Sequence, residues 1–231
     1  MSQSVQQMFS EISPDYDKLN HFMSLNTDRR WRDRAISLLP YPTDHKFRLL
    51  DLCCGTGDLS LSAVKHFPNV SVTAVDFSQA MLEIAAKKTR AQAQIRPCLA
   101  DALHLPFDNG HFDAIVCGFG VRNLDSLQNG IVEMHRVLKP QGHLIVLEFF
   151  KPSNLLGKVF HKTYARHIMP LFGRLLAKHG EAYEYLSTSI AGFVTLEGFK
   201  ILVEKTGFCA FKSIDFFMSV ATAVRVKKGS T

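Results

Sequence analysis

The chain has 231 residues, 46% hydrophobic and 21% charged, which is enough for one sizeable domain with its own core. No apolar run approaches the roughly 20 residues that cross a bilayer. No basic residue precedes Lys18, so neither a signal peptide nor an Arg-rich transit peptide is expected, and the expected location is the cytoplasm. A formal net charge of +6 suits nucleic acid or an anionic membrane surface but selects neither. The five cysteines contain no C-x-x-C pair and imply neither a disulfide framework nor a zinc knuckle.

Residues 1–46 are expected to form helices that cap a site. From residue 47 onward, short apolar runs alternate with amphipathic stretches. This pattern predicts strands near 48–53, 70–75, 95–99, 112–117 and 143–149, with helices near 58–66, 78–90 and 127–138. "PFDNGHFD" (106–113) and "KPQGH" (139–143) read as turns. After residue 150 the rhythm changes: 154–190 reads as helical, interrupted at Pro170 and Gly173, and Thr195–Thr206 as another helix. Residues 208–216 and 219–226 then read as two strands, antiparallel because only a short turn separates them. The fold class is therefore α/β, a doubly wound Rossmann-like sheet of seven strands, mostly parallel, with an antiparallel C-terminal strand. A single domain over 1–231 is expected. Its parts are a helical cap (1–46), a cofactor-binding core (47–150), a helical substrate or lid insertion (151–207) and a C-terminal strand pair (208–231).

"LLDLCCGTGDLS" (49–60) runs from an apolar strand through a glycine turn into a helix, the place where α/β sheets bind nucleotide cofactors. The dinucleotide pattern G-x-G-x-x-G fails, because Gly55 and Gly57 are followed by Ser60. Carboxylates at Asp51 and Asp58 disfavour a diphosphate and favour a cationic ligand. S-adenosylmethionine, with its sulfonium and ammonium groups and no phosphate, fits. Asp76 ends the second strand about twenty residues past the turn, where an acid accepts from ribose hydroxyls. Asp101, in "LADALHLPF", is placed to accept from an adenine amino group. Either acid taken alone also reads as a solvated strand-end carboxylate.

Several stretches resemble the class I methyltransferases, and among them the menaquinone/ubiquinone biosynthesis C-methyltransferases of the UbiE or MenG type. "MFSEISPDYDKLNHFMS" (8–24) with "RRWR" (29–32) is similar to that family's N-terminal signature, and "LDLCCGTGDLS" to its cofactor loop. "FGVRNL" (119–124) and "RVLKPQGHLIVLEFFKP" (136–152) are similar to its two further signatures, and "YARHIMPLFG" (164–173) and "EAYEYLSTSI" (181–190) to its C-terminal pattern. Gly118 and Asn26 depart from the residues usual at their positions. The resemblance implies that Gly55, Thr56, Gly57, Asp76, Asp101 and Ala102 line an S-adenosylmethionine site. It also implies a polyprenylated quinol acceptor, methylated at a ring carbon: a demethylated naphthoquinol first, the benzoquinol precursor of ubiquinone second.

Carbon methylation needs a phenolate-like charge stabilised and a ring proton removed. Arg122 suits the first task, since its fork of donors holds negative charge while its pKa makes it a poor base. Asn123 is expected to orient the same oxygen or a water. The proton would pass to a water held by Arg122 or to His167, Tyr16 or Asp17. No clustered ligands point to a metal. Residues 155–178 mix bulky apolar side chains with five Lys and Arg and no acids, a composition suited to peripheral contact with an anionic membrane. A homodimer is also considered. Rival readings are a non-catalytic cofactor-binding accessory protein, a nucleic-acid or small-molecule methyltransferase, and a dehydrogenase. The position after the fourth strand reads "CGFGVRN" rather than the Asn/Asp-Pro-Pro-aromatic motif of amino-methylating nucleic-acid enzymes, so no nucleic-acid partner is expected.

Overall fold

The structure is a computed structural model describing residues 3–24, 26–152, 180–216 and 220–230. Three helices open the chain: α1 (Gln3–Ile12), α2 (Tyr16–Met23) and α3 (Thr27–Ile36). The alternating part follows as β1 (Arg48–Leu52), α4 (Asp58–His66), β2 (Ser71–Asp76), α5 (Gln79–Thr89), β3 (Ile95–Leu99), β4 (Phe112–Gly118), α6 (Leu127–Val137) and β5 (Leu138–Glu148). Helices α7 (Gly180–Gly192) and α8 (Leu196–Lys205) precede β6 (Phe208–Phe216) and β7 (Ala221–Lys228). Much of the stretch read as an interrupted helix, with His167 and the basic run 155–178, lies outside the described residues.

The seven strands form one sheet in the order β3-β2-β1-β4-β5-β7-β6. β7 runs antiparallel to both β5 and β6, so the other six are parallel. The class expected from sequence is the one found. Its physical origin is the two-residue period of the strands. Leu49, Val72, Ala74, Ala114, Val116 and Ile145 face one core, covered by Trp31, Ala35 and Ile36 of α3 and Leu59 and Ala63 of α4. Leu50, Leu52, Val75, Ile115, Leu144 and Val146 face the other, covered by Ile131 and Met134 of α6 and Phe199 and Val203 of α8. Strands buried on both faces read as continuous apolar runs, the pattern that marks a parallel sheet.

One expectation is corrected. "KPQGH" is not a turn ahead of the fifth strand but lies inside β5, which begins at Leu138. The pairing with β4 jumps from Phe112↔Leu138 to Ala114↔His143, and Gln141 takes up the irregularity at φ 66°. Proline and glycine mark such irregularities within a strand as well as its ends, so composition alone does not separate the two cases.

Candidate functional site

β1 and β4 are neighbours whose following connections leave in opposite directions, so a crevice opens at their carboxyl ends. Both strands end in a left-handed non-glycine residue, Cys53 (φ 56°) and Phe119 (φ 58°). Such backbones are strained and cluster at functional sites. They come so close that a Cβ on Gly120 would lie 2.4 Å from the Cβ of Cys53. Only glycine fits at that position.

The glycine turn is pinned to the end of β2. Cys54 N donates to Val75 O (2.9 Å) and Gly55 N to the Asp76 carboxylate (2.8 Å), whose other oxygen accepts from Ser78 N (2.9 Å). Gly57, at φ 86°, opens α4 without a side-chain cap. By contrast α5, α6 and α8 are each capped by a serine or threonine, at Ser78, Ser126 and Thr195. The first amides of α4 are therefore left without that partner, in a helix whose positive end faces the crevice.

Beside the turn, a small pocket open to solvent is lined by Asp76, Asp101 and Ala102 with Cys53, Phe77 and Leu124. Three residues singled out from sequence thus meet on one wall. Asp101 keeps a partly exposed carboxylate, 3.7 Å from His104 and accepting from Leu103 N (3.0 Å). Asp76 is buried, and burial raises its pKa against the hydrogen bonds from Ser78, Gly55 and Phe77. Asp51, Gly55, Thr56 and Gly57 do not line this cavity. Asp51 is fully buried: one oxygen accepts from Ser60 Oγ (2.5 Å), the other has no partner, and burial pushes its pKa to about 7.

The electrostatic reading of Asp58 is corrected. Its carboxylate is ion-paired with Lys88 and lies 3.6 Å from Arg32, so it does not face the site as a free negative charge. Lys88 also holds Asp17 (2.6 Å), which accepts from Thr56 Oγ1 (2.5 Å). Burial would raise the Asp17 pKa, but the hydrogen bonds from Lys88 and Thr56 outweigh it and hold the carboxyl below its usual range, unsuited to a base near neutral pH. Among the described residues, His21, Asp28 and Asp58 bring possible ligand atoms within 4.8 Å of one another, but Arg32 pairs with both acids and supplies the positive charge there.

α1 packs on the rim of the cavity, where Gln6 Nε2 donates to Phe77 O (3.0 Å) and Ser10 meets Ser78 (3.1 Å). The Tyr16 ring lies against Gly55 and its phenol is raised by burial. On the far side, a single 3-10 turn, Val121–Asn123, carries Arg122 and Asn123. The Arg122 side chain is only 7% exposed and its Nη1 donates to Glu148 (2.8 Å) and to Phe119 O (2.6 Å), while Nε is buried without a partner. Glu148 is wholly buried. Burial raises its carboxyl against the pull of Arg122 and the amides of Phe149 and Arg122. Asn123 is engaged on both sides of its amide, with Nδ2 donating to Phe119 O (3.2 Å) and Oδ1 accepting from Tyr185 of α7 (2.9 Å).

Glu148 and Tyr185 carried no role in the sequence reading, although both stand inside quoted signatures. An acid ending an apolar strand is the one local signal for Glu148. Tyr185 comes from an element 62 residues beyond its partner, and no local pattern reports such a contact.

A doubly wound sheet with β7 antiparallel, an acid at the end of β2 and an uncapped helix after β1 defines a class I methyltransferase fold. Two solved structures share it: a SAM-dependent methyltransferase of Thermotoga maritima (TM-score 0.68, 20% identity, 96% of this chain and 99% of that one) and phosphoethanolamine N-methyltransferase 2 of Haemonchus contortus in complex with S-adenosyl-L-methionine (0.66, 14%, 86% and 52%). The pattern of the ubiE/COQ5 methyltransferase family matches residues 1–228, and the chain belongs to that family. Demethylmenaquinone methyltransferase of Thermus thermophilus is 40% identical over 202 residues, covering 87% of this chain and 91% of the relative. The Staphylococcus aureus (strain JH9) protein of the same name is 36% identical over 220 residues, covering 95% and 90%.

Proposed function

We propose that this chain is an S-adenosylmethionine-dependent C-methyltransferase that converts a demethylmenaquinol to menaquinol. The family and the two relatives named demethylmenaquinone methyltransferase support the activity and the acceptor. The observation that carries the site assignment is the juxtaposition of two features: a cavity walled by Asp76 and Asp101, and a turn presenting a buried arginine with an unpartnered Nε. The residues fit the cofactor. The carboxyl groups of Asp76 and Asp101 on the cavity wall suit a nucleoside that offers hydroxyl and amine donors better than a phosphate.

When bound, S-adenosylmethionine supplies an electrophilic methyl group. Asp76 holds the ribose hydroxyls, Asp101 accepts from the adenine amine and Ala102 offers an apolar wall to the base. Arg122, fixed by Glu148, presents Nε–H to the acceptor's oxygen and stabilises the negative charge that makes the neighbouring ring carbon nucleophilic, while the hydroxyl proton and, after methyl transfer, the ring proton pass to water held at Arg122. Tyr16 packs between the glycine turn and the acceptor and excludes water. Peripheral membrane contact through 155–178 and a homodimer belong to this reading as expectations from sequence, checked by sedimentation with anionic vesicles and by ultracentrifugation.

The deciding experiment is transfer of labelled methyl from S-adenosylmethionine, under reducing conditions, to short-tailed demethylmenaquinol and to the benzoquinol precursor in parallel. Transfer to the naphthoquinol is expected. Transfer to the benzoquinol alone moves the acceptor to ubiquinone synthesis, and transfer to neither, with cofactor bound, leaves the accessory-protein reading. Removal of Arg122 is expected to abolish turnover with cofactor binding retained. Because alanine would leave Glu148 buried without its cation, Arg122→Lys is the cleaner variant. Its kcat is expected to fall about 100-fold, with the Kd for S-adenosylhomocysteine within about twofold of wild type. Unchanged kcat removes Arg122 from the mechanism.

A further inference from the structure

The hydrogen bonds beneath Arg122 have a fixed direction. The carbonyl of Phe119 can only accept, so the Asn123 amide must turn Nδ2 toward it and Oδ1 away. That oxygen also can only accept, so the Tyr185 hydroxyl must spend its single proton on Asn123. The phenol oxygen is left with lone pairs and no proton to give. Tyr185 lies within the electrostatic reach of Arg122, and its phenol is raised by burial, so it stays neutral and does not act as a base. Its ring meets Phe9 edge to face (6.3 Å), and Phe9 meets Tyr16 in the same way (6.2 Å). Since Tyr16 lies against Gly55, these three rings reach from the cofactor turn to the Arg122 turn.

A hydroquinone offers an O–H where its oxidised quinone offers only a carbonyl. Arg122 donates to either form and cannot tell them apart. We propose that Tyr185, its proton held by Asn123, is the specificity-determining residue that selects the reduced, hydroxyl-bearing acceptor ring and rejects the oxidised quinone. The inference rests on the quinol reading above. It gives that reading a reason for working only on the reduced acceptor: the quinone lacks the hydroxyl whose ionisation activates the ring carbon, and it would meet two opposed lone pairs at Tyr185.

The test compares binding of a short-tailed demethylnaphthoquinol and of its quinone, without oxygen and with S-adenosylhomocysteine present. Wild type is expected to bind the quinol about tenfold more tightly, the order expected for one hydrogen bond made in place of one clash. Tyr185→Phe keeps the ring against Phe9, and in it the preference is expected to fall to about twofold or less through weaker quinol binding. Asn123→Ala frees the hydroxyl to rotate and donate, so here the preference is expected to vanish through tighter quinone binding. A merely structural role for Tyr185 does not produce opposite changes in the two variants. Retention of the quinol preference in Tyr185→Phe overturns the assignment while leaving the enzyme reading intact. Binding of neither form by wild type, with S-adenosylhomocysteine bound, overturns the quinol reading and this inference with it.

Discussion

Asp51 shows how far a single side chain can be read before its surroundings are known. Its place after an apolar run and before a glycine turn makes it read as a site carboxylate, yet it does not line the cavity. That it is fully buried, bonded to Ser60 through one oxygen and unpartnered at the other, follows from the packing of α4 over β1. Its pKa of about 7 in the folded chain lies above the value near 3.8 of the unfolded one. The folded state therefore holds an extra proton between those limits, and stability falls as pH rises through that window. Asp51→Asn has no such loss. Its stability relative to wild type is expected to rise by up to about 4 kcal/mol between pH 4 and 8, read from thermal melts along the series. A constant difference across that range would show that Asp51 is ionised in the fold. Asp76 and Asp101 stood out through strand spacing, because parallel pairing sets the ends of β2 and β3 on the same edge of the sheet as the end of β1, whereas Ala102 was implied by the family resemblance alone. The partners that hold Arg122 and Asn123 come from β5 and α7, which lie too far along the chain for any local pattern to report.

At the scale of elements, α2 is held to the glycine turn by charge as well as by the Tyr16 ring packed on Gly55. Asp17 of α2 accepts from Thr56 and from Lys88 of α5, while Lys88 and Arg32 of α3 share Asp58 at the start of α4. Because the Asp17 carboxyl is held below its usual value, the contribution of this contact is complete above about pH 4 and is lost only as pH falls through the depressed pKa. Lys88→Met removes the shared cation. It is expected to weaken the contact by about 1–2 kcal/mol, seen as roughly tenfold faster hydrogen exchange of the α2 amides. Exchange at the wild-type rate would assign the docking of α2 to its other contacts. The elements between residues 48 and 137 were legible to within about two residues because their apolar period is strong. The start of β5 was not, since nothing local separates a strand irregularity at Gln141 from a turn.

Across the whole molecule, one sheet divides two cores. Phe199 of α8 is wholly buried in the core that does not contain α3 and α4. Phe199→Ala is expected to cost about 3–5 kcal/mol, measured by denaturant unfolding, with the Kd for S-adenosylhomocysteine unchanged. A weakened Kd would mean that this face also sets the geometry of the crevice. The sheet class was legible because the alternation of strand and helix dictates parallel pairing, and the short link between the last two strands dictates an antiparallel one. Their order was not, because β6 reaches the sheet only through β7.

That order has a consequence during synthesis. β6 leaves the ribosome before β7, yet has no neighbour until β7 pairs with β5 along Glu148↔Thr222 to His143↔Lys227. Until then the open edge of β5 bears Glu148 at its end, and Glu148 is the residue that anchors Arg122. The nascent chain can assemble β1 to β4 early, but Glu148, the anchor of Arg122, has no ladder partner on that edge until β7 has slid between two strands that were made before it. Chaperones that shield strand edges would then govern how much of this protein becomes competent.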